Sequence, residues 1–244
     1  MRALLVIPAF NEGVKLETTA ERIRRSHASR KTKLAVDVLI VDDASTDGVP
    51  GKAARAFGFA TVRNEKRQGV GFSLRKGYDY GLEKGYDILL TMAGNNKDNP
   101  EELDRLISPI AEGRADFVQG SRYVKGGDYG NMPWQRLFAT RIIHPLLFSL
   151  AAGRRVTDST NGFRAFRAAI LKDARIKLHE SWLDRYELEP YLFLEAVRLG
   201  YRVTEVPVTK IYPERKLGYS KVPPIIGWWS MIRPLVYVIF RIRK

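Results

Sequence analysis

Short aliphatic runs alternate with amphipathic stretches over roughly the first half of the chain. Each run ends at a cluster of polar residues, as the buried strands of a parallel sheet do. The runs predict strands at Leu4–Ile7, Val36–Val41, Ala60–Arg63, Asp87–Met92 and Phe117–Gly120. The stretches between them predict helices at Val14–Arg25, Ser73–Lys84 and Leu103–Ala111. This alternation predicts an α/β domain with a doubly wound, mostly parallel central sheet and flanking helices, whose ligands lie at the carboxyl ends of the strands.

The second half of the chain has longer helical patterns. Trp134–Ala152 is rich in Leu, Ile and Phe at helical spacing, and Pro145 within it is expected to kink the helix. Tyr186–Leu199 predicts another helix, and Arg202–Val208 predicts a further strand.

The C-terminal tail, Ile225–Lys244, carries aromatic residues among aliphatic ones and ends in a basic cluster. Its apolar stretch is interrupted by Arg233 and Pro234, and it is shorter than the roughly 20 residues that a membrane-spanning helix needs. We therefore predict an amphipathic interfacial helix over residues 223–244, lying in the plane of a membrane with its aromatic side chains at headgroup level. The alternative is a helix packed on the protein's own core.

Composition narrows the class of protein. The 244 residues have ordinary globular proportions, 45% hydrophobic and 28% charged, and include no cysteine for a disulfide or a thiolate metal site. Lys and Arg number 41 against 27 Asp and Glu, a net charge of +14, which indicates a polyanionic partner: nucleic acid, anionic lipid or a phosphate-bearing substrate. No nucleic-acid partner is expected, because the basic residues are spread along the chain without a known nucleic-acid-binding motif.

Three segments near strand ends carry candidate ligand-binding residues. Pro8–Glu12 combines backbone N–H groups, an aromatic ring and a carboxylate, which together could hold a nucleoside. Val41–Gly48 has adjacent carboxylates that could accept hydrogen bonds from a base or from ribose hydroxyls. Either segment could instead be a turn that caps the next helix. Gly69–Gly71, followed by Arg75 and Lys76, suits a diphosphate, because glycines allow close backbone approach and the basic side chains supply charge.

Further motifs complete a series that covers almost the whole chain. They are Met92–Pro100, Gly120–Tyr123 with Gly126-Gly127, Trp134-x-Arg136, Asp158–Arg164, Arg198–Tyr201 with Glu205-Val-Pro207, and Arg215-x-x-Gly218-x-Ser220-Lys221. In this order, after Pro-Ala-Phe-Asn-Glu and Val-Asp-Asp-Ala-Ser-x-Asp-Gly, they resemble the motifs of family 2 glycosyltransferases, which have the Rossmann-like GT-A fold. Within that family the chain is most similar to the dolichol-phosphate and polyprenyl-phosphate mannose and glucose synthases.

The resemblance implies which residues bind which part of the substrates. It assigns the nucleoside to Pro8, Phe10, Glu12, Val41 and Asp43, and it places Ala93, Gly94 and Asn95 at the metal motif of the nucleotide-sugar site. Three residues in or beside these strand-end motifs are further candidates for the nucleotide-sugar: Ala9, Lys76 and Lys97. The resemblance assigns the phosphates of donor or acceptor, and with them the catalytic role, to Arg122, Arg136, Arg215 and Lys221. Thr140 lies on the same helix as Arg136, which in the family approaches the acceptor phosphate. The implied domain spans residues 1–222, with a nucleotide-sugar-binding half at 1–120 and an acceptor half at 121–222.

The implied reaction is an inverting, single-displacement transfer from a GDP- or UDP-sugar to a lipid phosphate. Such an acceptor is already an anion, so the main requirement is cationic stabilisation of the leaving diphosphate. A saccharide hydroxyl as acceptor would need a base. Asp158, Glu187 and Glu189 are the candidates for that base, although each is expected to form a structural pair with an arginine. The expected location is the cytoplasmic face of a membrane, with the protein bound peripherally to anionic lipid.

One motif departs from the family pattern. Ala93-Gly94-Asn95 occupies the place of the family's Asp-x-Asp, which binds the Mg²⁺ or Mn²⁺ ion that neutralises the leaving diphosphate. An asparagine offers only a neutral carbonyl oxygen to a hard cation. Three alternatives stay open: Asn95 and Asp98 hold a weak metal site, Lys97 and the other basic residues replace the metal, or the chain binds its nucleotide-sugar without turnover.

Overall fold

The computed structural model describes residues 1–29, 34–212, 226–240 and 242. Within these residues seven strands form one sheet: β1 (Ala3–Ala9), β2 (Val36–Asp42), β3 (Ala60–Arg63), β4 (Ile88–Thr91), β5 (Phe117–Ser121), β6 (Arg164–Arg167) and β7 (Val203–Pro207). Their order across the sheet is β3-β2-β1-β4-β6-β5-β7, and β6 alone runs antiparallel to its neighbours. The predicted mostly parallel α/β sheet is confirmed.

Helices cover both faces of the sheet. The described helices are α1 (Val14–Ser29), α2 (Val49–Phe57), α3 (Val70–Glu83), α4 (Leu103–Ala111), α5 (Trp134–Phe138), α6 (His144–Ala152), α7 (Leu188–Arg198) and α8 (Ile226–Ile239). Short 3₁₀-helices lie at Pro100–Glu102, Ala168–Lys172 and Ser181–Leu183, and a π-helical turn lies at Ala139–Ile143. Side chains of α1, α2 and α4 join one core layer, and those of α3, α6, α7 and α8 join the other.

The central strand β1 shows why aliphatic runs predict this sheet. Leu4 and Val6 enter the core layer on one face, and Leu5 and Ile7 enter the layer on the other. All four are fully buried. A strand covered on both faces needs apolar residues at consecutive positions rather than at every second one. Helix α3 lies close to β1 at Gly77, where a Cβ atom would collide with the Val6 side chain.

The aliphatic pattern does not predict two elements of the structure. Helix α2 has Pro50 and Gly51 in its first turn, where the missing N–H of proline costs no hydrogen bond. Strand β6 has an arginine at each end, yet it lies between β4 and β5. Arg164 is buried there and donates from Nη1 to the backbone carbonyl of Glu189 at 2.8 Å. A buried arginine whose partner comes from a distant segment leaves no signal in the local sequence.

The helix predicted over Trp134–Ala152 is present as α5, the π-helical turn and α6 in succession. Pro145 has no N–H to donate, and its ring crowds the turn before it. The backbone N–H of His144 donates to the carbonyl of Ala139, five residues back, which widens that turn. The disruption predicted at Pro145 therefore takes the form of a π-helical turn that ends just before it.

Helix α8 packs against α6 and α7. Leu235 is buried in this contact, and the Arg233 guanidinium donates to Glu187 Oε1 at 2.5 Å. Tyr237 lies against Trp182, with ring centroids 5.2 Å apart. This face of α8 therefore packs on the protein's own core, as the alternative for the tail predicts. The interfacial role of the tail stays a prediction. No helix in the described ranges is long and apolar enough to cross a membrane.

We expect His144 to weaken the protein at acid pH. Its imidazole joins α6 to α8, because Nδ1 lies 2.7 Å from Ser159 Oγ and Nε2 lies 3.2 Å from the Met231 carbonyl oxygen. Burial lowers its pKa to about 4, so as the pH falls below ~6.5 the unfolded chain binds a proton that the folded protein resists. This residue should make the free energy of unfolding about 2 kcal/mol lower at pH 5 than at pH 8.

Urea denaturation of the wild type and of His144→Gln at both pH values measures this contribution. The variant should lose less stability between pH 8 and pH 5 than the wild type does. An identical pH dependence in the two proteins would show that the His144 imidazole has the same pKa in the folded and unfolded chains, contrary to its buried position.

Candidate active site

The carboxyl ends of six strands meet at one edge of the sheet. β3, β2, β1 and β4 are parallel neighbours, and β5 and β7 share their direction because β6 is antiparallel to both β4 and β5. The segments that follow these strands include 10–13, 43–48, 64–69, 92–99, 122–131 and 208–212. Most of the residues predicted to bind substrate therefore lie at this edge, because the carboxyl ends of parallel strands lie on the same side of a sheet.

The carboxylate of Asp43 organises the loop between β3 and α3. It accepts hydrogen bonds from the backbone N–H of Gln68 at 2.8 Å and of Gly69 at 2.9 Å, and from the side-chain amide of Asn64 at 2.9 Å. Asp43 is almost fully buried, so these donors replace water around its charge. The direct nucleoside contact assigned to Asp43 stays a prediction, and the structure adds that this carboxylate holds residues 64–69 in place.

The turns after β1 and β2 are hydrogen-bonded to each other. Asn11 Oδ1 accepts from a backbone N–H of the second turn at 2.8 Å, and the Asn11 N–H donates to Ser45 Oγ at 3.1 Å. Asp42 accepts from the Ser45 N–H at 2.8 Å and pairs with Arg63 at the end of β3. Ala44 has a φ of 62°, a left-handed conformation that strains a residue with a Cβ. This bonding fixes the strand ends that the sequence assigns to the nucleoside.

An aromatic ring and a guanidinium face each other at this end of the site. Arg67 lies in the loop held by Asp43, and its Cζ is 4.2 Å from the ring centre of Phe10. Tyr186 is near the same pair: burial raises its pKa, and the positive charges of Arg67 and Arg185 oppose that rise. Nucleobases stack on flat aromatic and guanidinium surfaces. Phe10, predicted to contact the nucleoside, therefore lies beside a second stacking surface that the sequence pattern does not predict.

Two other predicted nucleotide ligands have a supporting role instead. The Val41 side chain is fully buried in the core, so this residue can reach a nucleoside only through its backbone. Lys76 Nζ donates to the last carbonyl of β3 at 3.0 Å and to Asn64 Oδ1 at 3.1 Å. These bonds direct the lysine to the end of β3 rather than to a diphosphate. Ala9 is also buried, whereas Pro8 and Glu12 are partly exposed.

The segment after β4 carries the motif Ala93-Gly94-Asn95. The Asn95 side-chain oxygen accepts from the backbone N–H of Lys97 at 3.3 Å. Asp98 Oδ1 accepts from Lys210 Nζ at 2.6 Å, and its Oδ2 accepts from the backbone N–H of the first motif residue at 3.3 Å. Both candidate metal ligands therefore already have partners within the protein.

This set of donors does not fit a divalent metal ion. Hard cations prefer several carboxylate oxygens, whereas Asn95 offers one amide oxygen and Asp98 is only 2% exposed and paired with a lysine. Lys97 adds a positive charge beside them. Across residues 1–29, 34–212 and the described part of the tail, no three or more His, Asp or Glu side chains come together to hold a metal. The metal site predicted at Asn95 and Asp98 therefore gains no support from the geometry.

Cationic side chains from three segments surround Tyr212. Lys97 Nζ lies 4.7 Å and Arg136 Cζ 5.2 Å from the centre of its ring, and Arg122 Nη1 donates to its phenolic oxygen at 3.3 Å. We call these four residues the Tyr212 cluster: Lys97, Arg122, Arg136 and Tyr212. Burial, and after it the positive charges of Lys210 and Arg136, lower the pKa of Lys97 to about 7. The cluster concentrates positive charge of the kind that binds phosphate oxygens.

Arg122 has a different role in this cluster from the phosphate contact predicted for it. Its guanidinium donates from Nε and Nη2 to the two oxygens of Asp158, at 2.7 and 2.8 Å, and from Nη2 to Thr160 Oγ1 at 2.8 Å. Arg122 and Asp158 are both buried. Most of the guanidinium donors are thus used inside the protein, and Arg122 positions Tyr212. The predicted structural pairing of Asp158 with an arginine is confirmed.

The other two carboxylates considered as bases are also paired with arginines, as predicted. Glu187 accepts from Arg233 at 2.5 Å, and Glu189 lies 3.9 Å from the Nε of Arg164. Arg136 and Thr140 are on the predicted helix, and Thr140 Oγ1 donates to the Arg136 carbonyl at 2.8 Å. The two remaining predicted catalytic residues, Arg215 and Lys221, lie outside the described residues.

Sequence reasoning does not single out Lys210 or Tyr212, although a signal for both exists. They follow β7, a parallel strand whose carboxyl end lies at the same edge as those of β1 and β2. Polar and aromatic residues after β7 are therefore candidate substrate-binding residues as well. The backbone N–H of Ile211 donates to the Lys97 carbonyl at 2.9 Å. The segments after β4 and β7 are therefore bonded to each other.

Known proteins resemble the chain over most of its length. A family model described as Glycosyl transferase family 2 matches residues 4–175. The polyprenol monophosphomannose synthase of Mycolicibacterium smegmatis is 34% identical over 228 residues, which cover 91% of this chain and 81% of that protein. The undecaprenyl-phosphate mannosyltransferase of Micrococcus luteus is 35% identical over 228 residues, which cover 91% and 88%.

A solved structure has the same fold. It is the glucosyl-3-phosphoglycerate synthase of Mycobacterium tuberculosis, in complex with Mn²⁺, uridine diphosphate and glucosyl-3-phosphoglycerate. Its TM-score is 0.67 at 18% identity, and the match covers 98% of this chain and 79% of that chain. At this identity the likeness describes the fold alone.

Proposed function

The chain belongs to glycosyl transferase family 2, and we propose that it transfers a sugar from a nucleoside-diphosphate-sugar to a polyprenyl phosphate. The observation that carries the proposal is the Tyr212 cluster, where Lys97 from the nucleotide-binding half and Arg136 from the acceptor half approach one ring. Residues 1–120 then bind the donor and residues 121–222 the acceptor. The two relatives are named for polyprenol and undecaprenyl phosphate and for mannose, which makes GDP-mannose the first donor to test.

The proposed reaction exchanges one bond for another. The bond between the anomeric carbon and the β-phosphate oxygen of the donor breaks, and its electron pair stays on the leaving nucleoside diphosphate. An oxygen of the lipid phosphate attacks from the opposite face and bonds to the anomeric carbon, whose configuration inverts. Additional negative charge therefore develops on the diphosphate, where Lys97 is suited to stabilise it. Arg136, which approaches the same ring as Lys97, is suited to add a second positive charge at the diphosphate and to orient the lipid phosphate that attacks beside it.

The carboxylates of the site favour a phosphate acceptor over a saccharide hydroxyl. A hydroxyl must give up a proton to a base as it attacks, whereas a phosphate is already ionised. Of the three candidate bases, Asp158 and Glu187 are buried and bonded to arginines, and Glu189 lies 3.9 Å from the Nε of Arg164. This arrangement supports transfer that is driven by positioned cations.

An apolar stripe on the helix from α5 to α6 suits a membrane surface. Its members recur every four residues and are 51–72% exposed: Trp134, Phe138, Ile142, Leu146 and Leu150. Arg141 within the stripe and Arg155 beyond its end are exposed and can meet anionic headgroups. We propose that this stripe binds anionic lipid peripherally, on the cytoplasmic face of a membrane. The lack of cysteine is compatible with this reducing compartment. The exposed Trp229 and Phe240 of the tail extend the apolar surface available to lipid.

Leu146→Glu is expected to weaken binding to vesicles of phosphatidylglycerol and phosphatidylcholine by about tenfold or more, because an apolar side chain buried in lipid contributes about 2 kcal/mol. Sedimentation with the vesicles measures the bound fraction. Ala174→Glu, which makes the same change in charge at an exposed position away from the stripe, is the matched control and should bind as the wild type does. Equal loss of binding in both variants would indicate a charge effect and would contradict a role for the stripe.

Release of nucleoside diphosphate tests the proposed function. The purified chain is incubated with GDP-mannose, UDP-glucose or UDP-N-acetylglucosamine, with and without undecaprenyl phosphate, and thermal shifts identify which donor binds the folded protein. We expect one donor to raise the melting temperature and to be consumed when the lipid phosphate is present. Tight binding without consumption under any condition would favour the alternative of an inert nucleotide-sugar-binding protein.

A further inference from the structure

The place of the family's metal motif holds a lysine whose position is fixed by the backbone. The Lys97 N–H donates to Asn95 Oδ1 at 3.3 Å, and its carbonyl accepts from the Ile211 N–H at 2.9 Å. The residue is only 7% exposed. Its amino group is therefore confined near the carboxyl end of β4, and a phosphate anion that binds there favours the protonated, positively charged form.

A second cation of the Tyr212 cluster is directed at the same region. The Arg136 Nε atom is buried and has no hydrogen-bond partner among the described residues. Buried donors are normally bonded. An anion between Lys97 and Arg136 would supply the missing acceptor and would balance two positive charges at once.

Two carboxylates near these cations are bonded in ways that a metal ion could not share. Asp98 is paired with Lys210 at 2.6 Å, and Asp158 holds Arg122 through both of its oxygens. A divalent ion placed at the motif would meet lysine ammonium groups before it met a free carboxylate oxygen of these two residues. Lys97 also senses three other cations, Lys210, Arg136 and Lys15, and one carboxylate, Glu12, so positive charge predominates here and the site favours an anion over a cation.

We propose that Lys97, with Arg136 as a second positive charge, neutralises the leaving diphosphate in place of a divalent cation, so that sugar transfer proceeds without Mg²⁺ or Mn²⁺. This inference rests on the proposed function, since it concerns the leaving group of that reaction. In the transfer, the electron pair of the broken sugar–phosphate bond stays on the diphosphate, and the Lys97 ammonium donates to the oxygen that receives it. No metal, oxidant or additional proton source is needed for the atoms and charges to balance.

Nucleotide binding without metal is the first part of the test. GDP, UDP and the two nucleosides are titrated by calorimetry into protein treated with EDTA, and again in the presence of Mn²⁺. We expect GDP or UDP to bind equally well in both conditions. Lys97→Met should lower the affinity for that diphosphate about 10- to 100-fold, as expected for a hydrogen bond between charged groups. The affinity for the nucleoside should not change.

Lys84→Met is the matched control, because it removes an exposed lysine on the far side of α3 from the strand ends and should change neither affinity. Binding that disappears in EDTA and returns with Mn²⁺ would overturn the inference. A diphosphate affinity that is insensitive both to EDTA and to Lys97→Met would overturn it too. If neither GDP nor UDP binds under either condition, the proposed function itself fails.

Transfer from GDP-mannose to undecaprenyl phosphate in EDTA completes the test. We expect the same initial rate in EDTA as in Mn²⁺. A rate that is lost in EDTA and restored by Mn²⁺ would leave the proposed function intact and would refute the metal-free mechanism. The two proposals therefore fail in distinguishable ways.

Discussion

Lys97→Met is expected to lower kcat for sugar transfer by about 100- to 1000-fold, the usual effect of removing one preorganised donor from a developing negative charge. The lysine stands at the carboxyl end of β4 and approaches the same ring as Arg136, so its ammonium is placed between the two substrate-binding halves. Methionine keeps the length and volume of the side chain and removes only the charge. Steady-state rates with saturating donor and lipid phosphate measure the effect.

Loss of folding is excluded by comparing the unfolding of the variant with that of the wild type. Lys97 is buried beside other cations, so its replacement by methionine should leave the free energy of unfolding unchanged or raise it. Lys84→Met should retain the wild-type kcat. A Lys97→Met protein that is folded and fully active would show that the diphosphate is stabilised elsewhere.

Asp43→Ala is expected to remove nucleotide binding by releasing the loop between β3 and α3. The change leaves the N–H groups of Gln68 and Gly69 and the amide of Asn64 without their acceptor. Unpaired buried donors cost about 1–3 kcal/mol each, so the free energy of unfolding should fall by about 2–4 kcal/mol if part of the loop becomes hydrated. Arg67 moves with this loop and would no longer face Phe10. The affinity for GDP or UDP should fall by about 100-fold or more.

Calorimetric titration at a temperature where circular dichroism shows the variant to be folded measures the loss of affinity. Asp87→Ala is a suitable control, because this exposed carboxylate also accepts from a backbone N–H, that of Arg2, and lies just before β4, at the opposite end of the strands from the site. It should change stability and nucleotide affinity little. Near-normal affinity in Asp43→Ala would contradict the nucleoside site at this loop.

The parallel half of the sheet could be predicted because its signals are local. β1 is covered on both faces, so its consecutive apolar residues report burial directly, and the polar residues after it mark the strand end. Position along the strand then places Pro8–Glu12 and Val41–Gly48 at one edge. The grouping of candidate site residues followed from strand direction alone.

The partners of individual side chains could not be predicted, because they come from distant segments. Arg122 resembles a phosphate ligand by its motif, but its donors are used by Asp158, 36 residues later. Strand β6 has no local signal, because Arg164 is buried through contacts that depend on the packing of α7. The position of Tyr212 after β7 places it near the substrate edge, but its local sequence does not show that Lys97 and Arg136 approach it.

At the metal motif, the sequence leaves an alternative open that the positions of the side chains help to decide. The sequence established that Ala93-Gly94-Asn95 lacks carboxylates and left open whether Asp98 compensates. The structure pairs Asp98 with Lys210 and places Lys97 beside Tyr212. The alternative in which cations act on the diphosphate is thus the one that the positions of these side chains favour.

Comparison of undecaprenyl phosphate with undecaprenol as acceptors is the most direct test of transfer to a lipid phosphate. The purified chain is incubated with its donor and each lipid, and the lipid products are identified by mass spectrometry. Transfer to a lipid phosphate predicts that undecaprenyl phosphate yields a lipid with one phosphate and one sugar, and that undecaprenol yields no glycosylated product. Glycosylation of undecaprenol or of an added saccharide, while the lipid phosphate stays unmodified, would contradict it.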